Sequence, residues 1–203
     1  MLIVLISGAC AIHLESIVRL DRMILEWFAT CRSLACDQFF AYVSWAGSSL
    51  ILLPVILAQA VILTIRTHIQ NALFLVGSFV GASTLNNIFK LVIARPRPDL
   101  FPALSDLPAG FSFPSSHAVQ ITAFVLAELL LLNITTGARW FFLLNMVSGG
   151  LILLVCISRM YLQVHYPTDV VAGFLIALFW VFGLATLMLP DHNKRGFFGR
   201  LSL

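Results

Sequence analysis

The chain alternates between long apolar runs and short polar joints, and the run lengths set the first expectation. Six stretches read as bilayer crossings: residues 1–18, 45–65, 69–89, 118–134, 140–158 and 170–189. Each is close to the roughly 17–25 residues a helix needs to span the hydrocarbon core. Lipid offers backbone groups no hydrogen-bond partner, so an open chain crosses it as helix. The pattern therefore predicts an all-α, polytopic membrane protein with six transmembrane helices. The first run is the weakest, with His13 and Glu15 near its end, and the fourth carries one acid, Glu128. Between the first two runs, residues 19–40 mix charge with Leu20, Ile24, Trp27, Phe28, Cys31 and Leu34. That spacing of three and four marks an amphipathic segment along the membrane interface, or a packed cap over the bundle. Residues 191–203 read as a short polar and basic tail.

Composition sharpens this picture. Of 203 residues, 60% are hydrophobic and 10% charged, against about 25% charged in soluble domains. A single membrane domain over residues 1–203 leaves no room for a separate soluble one. A net charge of +3, with no basic run interleaved with aromatics, excludes a nucleic-acid partner. Cys10, Cys31, Cys36 and Cys156 form no CxxC pair and no metal spacing. Cys10 and Cys156 read as core filler; Cys31 and Cys36 are either bridged toward an oxidising compartment or unpaired. The N-terminus lacks a positive region and a small-residue cleavage site, so no cleaved signal peptide is expected.

Three polar clusters are left over. The first runs from Lys90 to Arg95-Pro96-Arg97-Pro98, the second is Pro114-Ser115-Ser116-His117, and the third is Ser158-Arg159 followed by His165-Tyr166-Pro167-Thr168-Asp169. They lie at the end of the third run, the start of the fourth, and the joint between the fifth and sixth. Counting crossings puts all three on one membrane face. The loop 95–116 holds five prolines, which keep it non-helical, and a loop of that length is usually functional.

Lys90, Arg95, Arg97 and Arg159 have too few acids nearby to be simple ion pairs. Guanidinium forks match phosphate oxygens, lysine adds a point charge, and Ser115 and Ser116 stand at a helix start that favours an anion. A cation at a span end also anchors a helix at the headgroups, and Arg95 is open to that reading because Arg97 competes for the same role. Histidine serves as nucleophile, acid or base near neutral pH. His165 and Asp169 are four apart, so Asp169 can accept the far ring N–H of His165 while the other nitrogen attacks. His117 would protonate the departing oxygen and then activate water. His13, His68 and His192 read as packed or hydrogen-bonded residues. Glu128 lies eleven residues past His117, roughly 16 Å along a helix. It is too far for chemistry and is expected in a structural hydrogen bond.

These clusters resemble the signature of the phosphatidic acid phosphatase type 2 and haloperoxidase superfamily: K-x6-RP, then PSGH, then SR-x5-H-x3-D. Lys90 and Arg97-Pro98 match the first element; Ser158-Arg159, His165 and Asp169 match the third. Pro114-Ser115-Ser116-His117 matches the second, with serine in place of glycine at 116. The resemblance covers residues 90–169. It implies a metal-independent enzyme without cofactor, in which His165 forms a phosphohistidine, Asp169 is its partner and His117 the general acid. Lys90, Arg97, Ser115, Ser116 and Arg159 would hold the phosphate. Membrane-bound members act on lipid phosphates and polyprenyl diphosphates; the soluble vanadium haloperoxidases share the motifs on a different fold. Undecaprenyl diphosphate, phosphatidylglycerophosphate, phosphatidic acid and lipid A phosphates all present a suitable head.

In bacterial members the site usually faces the periplasm or outside. Without the four motif-region cations, the site side holds Arg19, Arg22 and Arg32 against Arg66, Arg139, Lys194, Arg195 and Arg200 opposite. Three against five leans to a cytoplasmic opposite side, and the resemblance decides for a periplasmic or outward-facing site in a bacterial inner membrane. Two other functions compete. An anion or lipid transporter would spread polar groups through the bilayer depth, and here only Glu128 lies deep. A silent lipid-phosphate-binding protein would have lost a motif histidine or arginine.

Overall fold

The computed structural model describes residues 2–104, 110–132 and 138–189. The expected tail at 191–203, the side chains of residues 1–14 (His13 and Cys10 among them) and that of Arg139 lie outside this description. Seven helices make up the described chain: α1 (Leu2–Thr30), α2 (Leu34–Trp45), α3 (Ser49–Ile65), α4 (Ile69–Ile93), α5 (Ser116–Leu132), α6 (Ala138–Tyr161) and α7 (Pro167–Met188). Among the described residues four helical stretches, against the six expected, are long and apolar enough to cross a bilayer: 34–65, α4, 142–161 and α7; α5 is a shorter apolar helix.

The helix ends have local causes. Ser33 caps α2 by accepting from the Cys36 amide at 3.2 Å, and Ser48 caps α3 by accepting from the Leu50 amide at 3.1 Å. At the end of α4, Ala94 adopts a left-handed conformation with φ of 48°. Pro96 and Pro98 follow and rule out a further turn. Pro167 opens α7, where a missing amide costs nothing.

Helix α5 runs through the centre, against α4, α6 and α7. Ala118, Val119, Ala123 and Ala127 are fully buried there, small side chains that let neighbouring backbones approach, as at membrane helix contacts. On α4, Gly81 admits the ring of Trp180 of α7, whose indole N–H donates to the Gly77 carbonyl at 3.0 Å. Outward positions such as Leu53, Leu57, Leu73 and Val80 are exposed and apolar, as a lipid-facing surface requires. Two apolar grooves flank α7. One of about 550 Å³ lies against α4, lined by residues such as Phe89, Ile93 and Phe179. The other, of about 720 Å³, lies between α1, α6 and α7, lined by residues such as Trp27, Cys156 and Phe174.

Residues 19–40, open in sequence to an interfacial segment or a packed cap, form the later turns of α1 and the start of α2. α1 is one continuous helix to Thr30, and its later turns pack on the bundle. Asp21, Leu25 and Phe28 are buried. Phe28 and Phe40 pack on Tyr161, whose hydroxyl donates to Asp37 at 2.7 Å. Sequence leaves both readings open because one spacing serves a packed helix and an interfacial one equally. Cys31 and Cys36 are both free thiols.

Candidate active site

Four helix ends meet at one end of the bundle. α4 brings Asn86 and Lys90 in its last two turns, α5 opens at Ser116-His117, α6 closes with Ser158-Arg159, and α7 carries Asp169 in its first turn. The joint between α6 and α7 holds His165.

Backbone contacts lock these ends together. The Ser115 amide donates to the Asp169 carbonyl at 3.0 Å, and the Leu104 amide donates to the Leu162 carbonyl at 3.1 Å. Lys90 Nζ donates to the Phe111 carbonyl at 2.7 Å. Arg97 donates through Nη1 to the Val164 carbonyl at 2.9 Å and through Nε to the Gly110 carbonyl at 3.2 Å. Its Nη1 also lies 3.4 Å from His165 Nε2. Arg159 Nη1 donates to Ser44 Oγ of α2, and Asn86 Nδ2 donates to Ser116 Oγ at 2.9 Å. His117 is within electrostatic range of Arg159, His165, Arg97 and Lys90.

His165 is 2% exposed. Its Nδ1 lies 3.6 Å from Asp169 Oδ2, a separation of the kind that tightens when a ligand completes a site. The same Oδ2 accepts from the Tyr166 amide at 2.9 Å and from Ser112 Oγ. With Nδ1 turned to the carboxylate, Nε2 faces Arg97. Burial pulls the His165 imidazole down to about 4; the Asp169 hydrogen bond opposes this, and Arg159 and Arg97 add to it. The ring is therefore neutral at neutral pH, with its Nε2 lone pair turned to the Arg97 guanidinium. Ser115 Oγ and Arg159 Nε are buried without a protein hydrogen-bond partner, which suits them to an anion's oxygens.

The structure thus gathers Lys90, Arg97, Ser115, Ser116, His117, Arg159, His165 and Asp169 at one end. Arg95 stands apart from the other cations: Nη1 donates to Asp169 Oδ1 and Nη2 to Asp21 Oδ2, both at 2.7 Å. Burial works against its charge, yet the two carboxylates raise the Arg95 pKa above the usual arginine value. Glu128 is remote, hydrogen-bonded by Gln59 of α3. Asp21, Ser44, Asn86 and Ser112 also belong to the arrangement, and sequence reading missed them. Only Asn86 left a trace, a polar residue four before Lys90 on the same helix face.

Spanning-length apolar helices, with cations, histidines and a carboxylate gathered at their ends, define a class of integral-membrane protein. The family can be stated directly: residues 71–193 match the PAP2 superfamily, more than half of the chain, and the chain belongs to it as a phosphatase. Phosphatidylglycerophosphatase B of Bacillus subtilis (strain 168) is 28% identical over 176 residues, 86% of each chain. The undecaprenyl-diphosphatase of Sulfolobus acidocaldarius is 32% identical over 144 residues, 69% of this chain and 65% of that one. The crystal structure of a PAP2 type phosphatidylglycerolphosphate phosphatase from Bacillus subtilis matches with a TM-score of 0.79 at 27% identity, over 88% of this chain and 89% of that one. Aquifex aeolicus LpxE shares the fold at a TM-score of 0.63 and 21% identity, over 83% of this chain and 94% of that one.

Proposed function

We propose that this protein hydrolyses a phosphomonoester or diphosphate of a membrane lipid through a phosphohistidine at His165. The observation that carries the reading is the two-sided setting of the His165 ring, Nδ1 toward Asp169 and Nε2 3.4 Å from Arg97. A neutral imidazole so placed points its lone pair at a phosphate held by cations.

In the first step His165 Nε2 attacks phosphorus and the bond to the lipid oxygen breaks. His117, which takes up a proton as the bound phosphate offsets the cations around it, gives that oxygen the proton, and Asp169 stabilises the charge now on the His165 ring. In the second step His117 takes a proton from water, the water oxygen attacks phosphorus, and the P–N bond breaks to release inorganic phosphate. Lys90, Arg97, Arg159, the Ser115 hydroxyl and the Ser116 backbone amide stabilise charge on the equatorial oxygens in both steps. No step calls for a metal or cofactor.

Phosphatidylglycerophosphate and a polyprenyl diphosphate are the first substrates to try, given the names of the two relatives above. Both place a phosphate at the interface with the tail in the bilayer. The proposed arrangement is six spans, with α1 and the 34–65 stretch supplying the first two, in a bacterial inner membrane with the site on the periplasmic or outer side. The motif-bearing core is residues 90–169.

The test is phosphate release by detergent-purified protein from phosphatidylglycerophosphate, undecaprenyl diphosphate, phosphatidic acid and lipid A, with EDTA present. Wild type and His165→Ala run side by side, with vanadate as a phosphate mimic. Expected are EDTA-resistant release, loss in His165→Ala, and acid-labile phosphate trapped on the wild-type protein. Equal release by His165→Ala would end the phosphohistidine reading. No release from any lipid would favour binding or transport.

A further inference from the structure

Resting on the reading that His165 attacks and Asp169 orients it, we propose that Arg95 and Asp21 form a positioning clamp through which α1 aligns that pair. Asp21 is 1% exposed in the last third of α1. Such an acid has a cost that only close partners offset. It has three: Arg95 Nη2 at 2.7 Å, the Thr168 amide at 3.0 Å and Thr168 Oγ1 at 2.6 Å. Arg95 reaches the other way with Nη1, to Asp169 Oδ1 at 2.7 Å and Thr168 Oγ1 at 2.7 Å. The Tyr166 ring lies 3.9 Å from the guanidinium carbon and fixes its plane.

This geometry separates Arg95 from the phosphate-binding cations. Both of its terminal nitrogens are committed to carboxylates, so its fork faces protein rather than substrate. What it does fix is the Asp169 carboxylate. A carboxylate is planar, so holding Oδ1 sets where Oδ2 points, and Oδ2 is the oxygen nearest His165 Nδ1. Ser112 and the Tyr166 amide hold Oδ2 from the other side. Asp21 in turn prevents the guanidinium from swinging toward an incoming phosphate dianion. A lysine in place of Arg95 offers a point charge and cannot hold two carboxylates in one plane.

Deleting Arg95 outright would leave two buried carboxylates unpaired, a severe loss of stability, so the test uses Arg95→Lys and Asp21→Asn. Both are measured in the detergent-solubilised full chain with the faster of undecaprenyl diphosphate and phosphatidylglycerophosphate. Each is expected to lower kcat by about 10–100-fold, as changes to residues that orient a catalytic group commonly do. KM and the vanadate inhibition constant should stay within about threefold of wild type, because these residues do not touch phosphate. In an Asp169→Asn background, adding Arg95→Lys should cost nothing further, because its effect passes through Asp169. Wild-type kcat in both single variants would overturn the clamp. So would losses that simply add to that of Asp169→Asn, or a matching loss of vanadate binding, which marks general disorder of the site. His165→Ala is the reference: turnover retained there sinks the nucleophile reading itself. An inactive His165→Ala beside fully active clamp variants sinks only the clamp.

Discussion

Gly173 is where packing and catalysis meet most directly. It stands one turn beyond Asp169, facing the start of α5. An added Cβ would lie 2.8 Å from the Ser115 carbonyl oxygen, 3.1 Å from Ala118 Cβ and 3.3 Å from Val119 Cγ2. Ordinary contact begins at 3.4 Å, and a backbone oxygen cannot rotate away as a side-chain tip can. Gly173→Ala must therefore push α5 back by about 0.6 Å, which stretches the bond from the Ser115 amide to the Asp169 carbonyl to about 3.6 Å, beyond useful length. Overpacking of this kind costs about 1–3 kcal/mol and the lost hydrogen bond about 1 kcal/mol. Alanine's better helix propensity returns about 1 kcal/mol, so destabilisation of about 1–3 kcal/mol remains. Catalysis should suffer more, since constellations tolerate about 0.5 Å and a 1 Å misplacement can cost roughly 100-fold. A kcat lowered tenfold or more is expected, with a lower Tm. Gly183→Ala on the same helix is the control, because nothing lies within 4 Å of its added carbon. Both quantities come from turnover and thermal unfolding in one detergent. Wild-type kcat and Tm in Gly173→Ala, or an equal loss in Gly183→Ala, would refute the reasoning.

Three further outcomes follow from the site. His165 has a folded-state pKa near 4 against an ordinary 6.5, so between these values the unfolded chain binds more protons. Stability is then lost as pH falls from about 6.5 to about 4, by about 3 kcal/mol at most; the Tm of wild type should drop across that window more steeply than that of His165→Gln, and parallel curves would contradict it. Ser116→Gly leaves the Asn86 amide unpaired at 2% exposure. It should cost about 1–3 kcal/mol in unfolding while kcat stays within about threefold of wild type, since the motif tolerates glycine there; an unchanged Tm would show the bond to be worth nothing. Ser44→Ala frees Arg159 from its hydroxyl partner and should weaken vanadate inhibition roughly tenfold, about 1.4 kcal/mol. An unchanged constant would show that Arg159 needs no such support.

What could be read from sequence, and what could not, divides along contact range. Lys90 to Arg97, Ser115 to His117 and Arg159 to Asp169 are each compact in sequence, and their reactive types stand out against apolar spans. Counting crossings sufficed to bring them to one end. Asp21 carries no such mark: its partners Arg95 and Thr168 lie 74 and 147 positions away, and one acid in an amphipathic stretch looks like any solvated charge. Arg95 was visible as a second Arg-Pro pair, but its engagement by two carboxylates depends on a tertiary fold. The same ambiguity hid the continuity of α1. From Ala9 to Thr30 no glycine or proline breaks the helix, yet its stripe of Leu25 and Phe28 serves a membrane surface as well as a packed neighbour. Ser44 and Asn86 are ordinary polar residues in apolar helices, and only the positions of Arg159 and Ser116 give them meaning.

The grooves on either side of α7 bear on how such an enzyme chooses among lipids. Each is lined almost wholly by hydrocarbon, so a tail that leaves the bilayer for a groove exchanges one oil for another. The gain of about 0.8 kcal/mol per methylene that drives a chain out of water has already been collected on entering the membrane. Tail length then discriminates little, and preference falls to the head group and to the shape near Phe113 and Pro167. Turnover should follow the mole fraction of substrate within the membrane plane rather than its concentration in the surrounding volume. A two-dimensional dilution with inert lipid would slow the enzyme where an equal dilution with buffer would not.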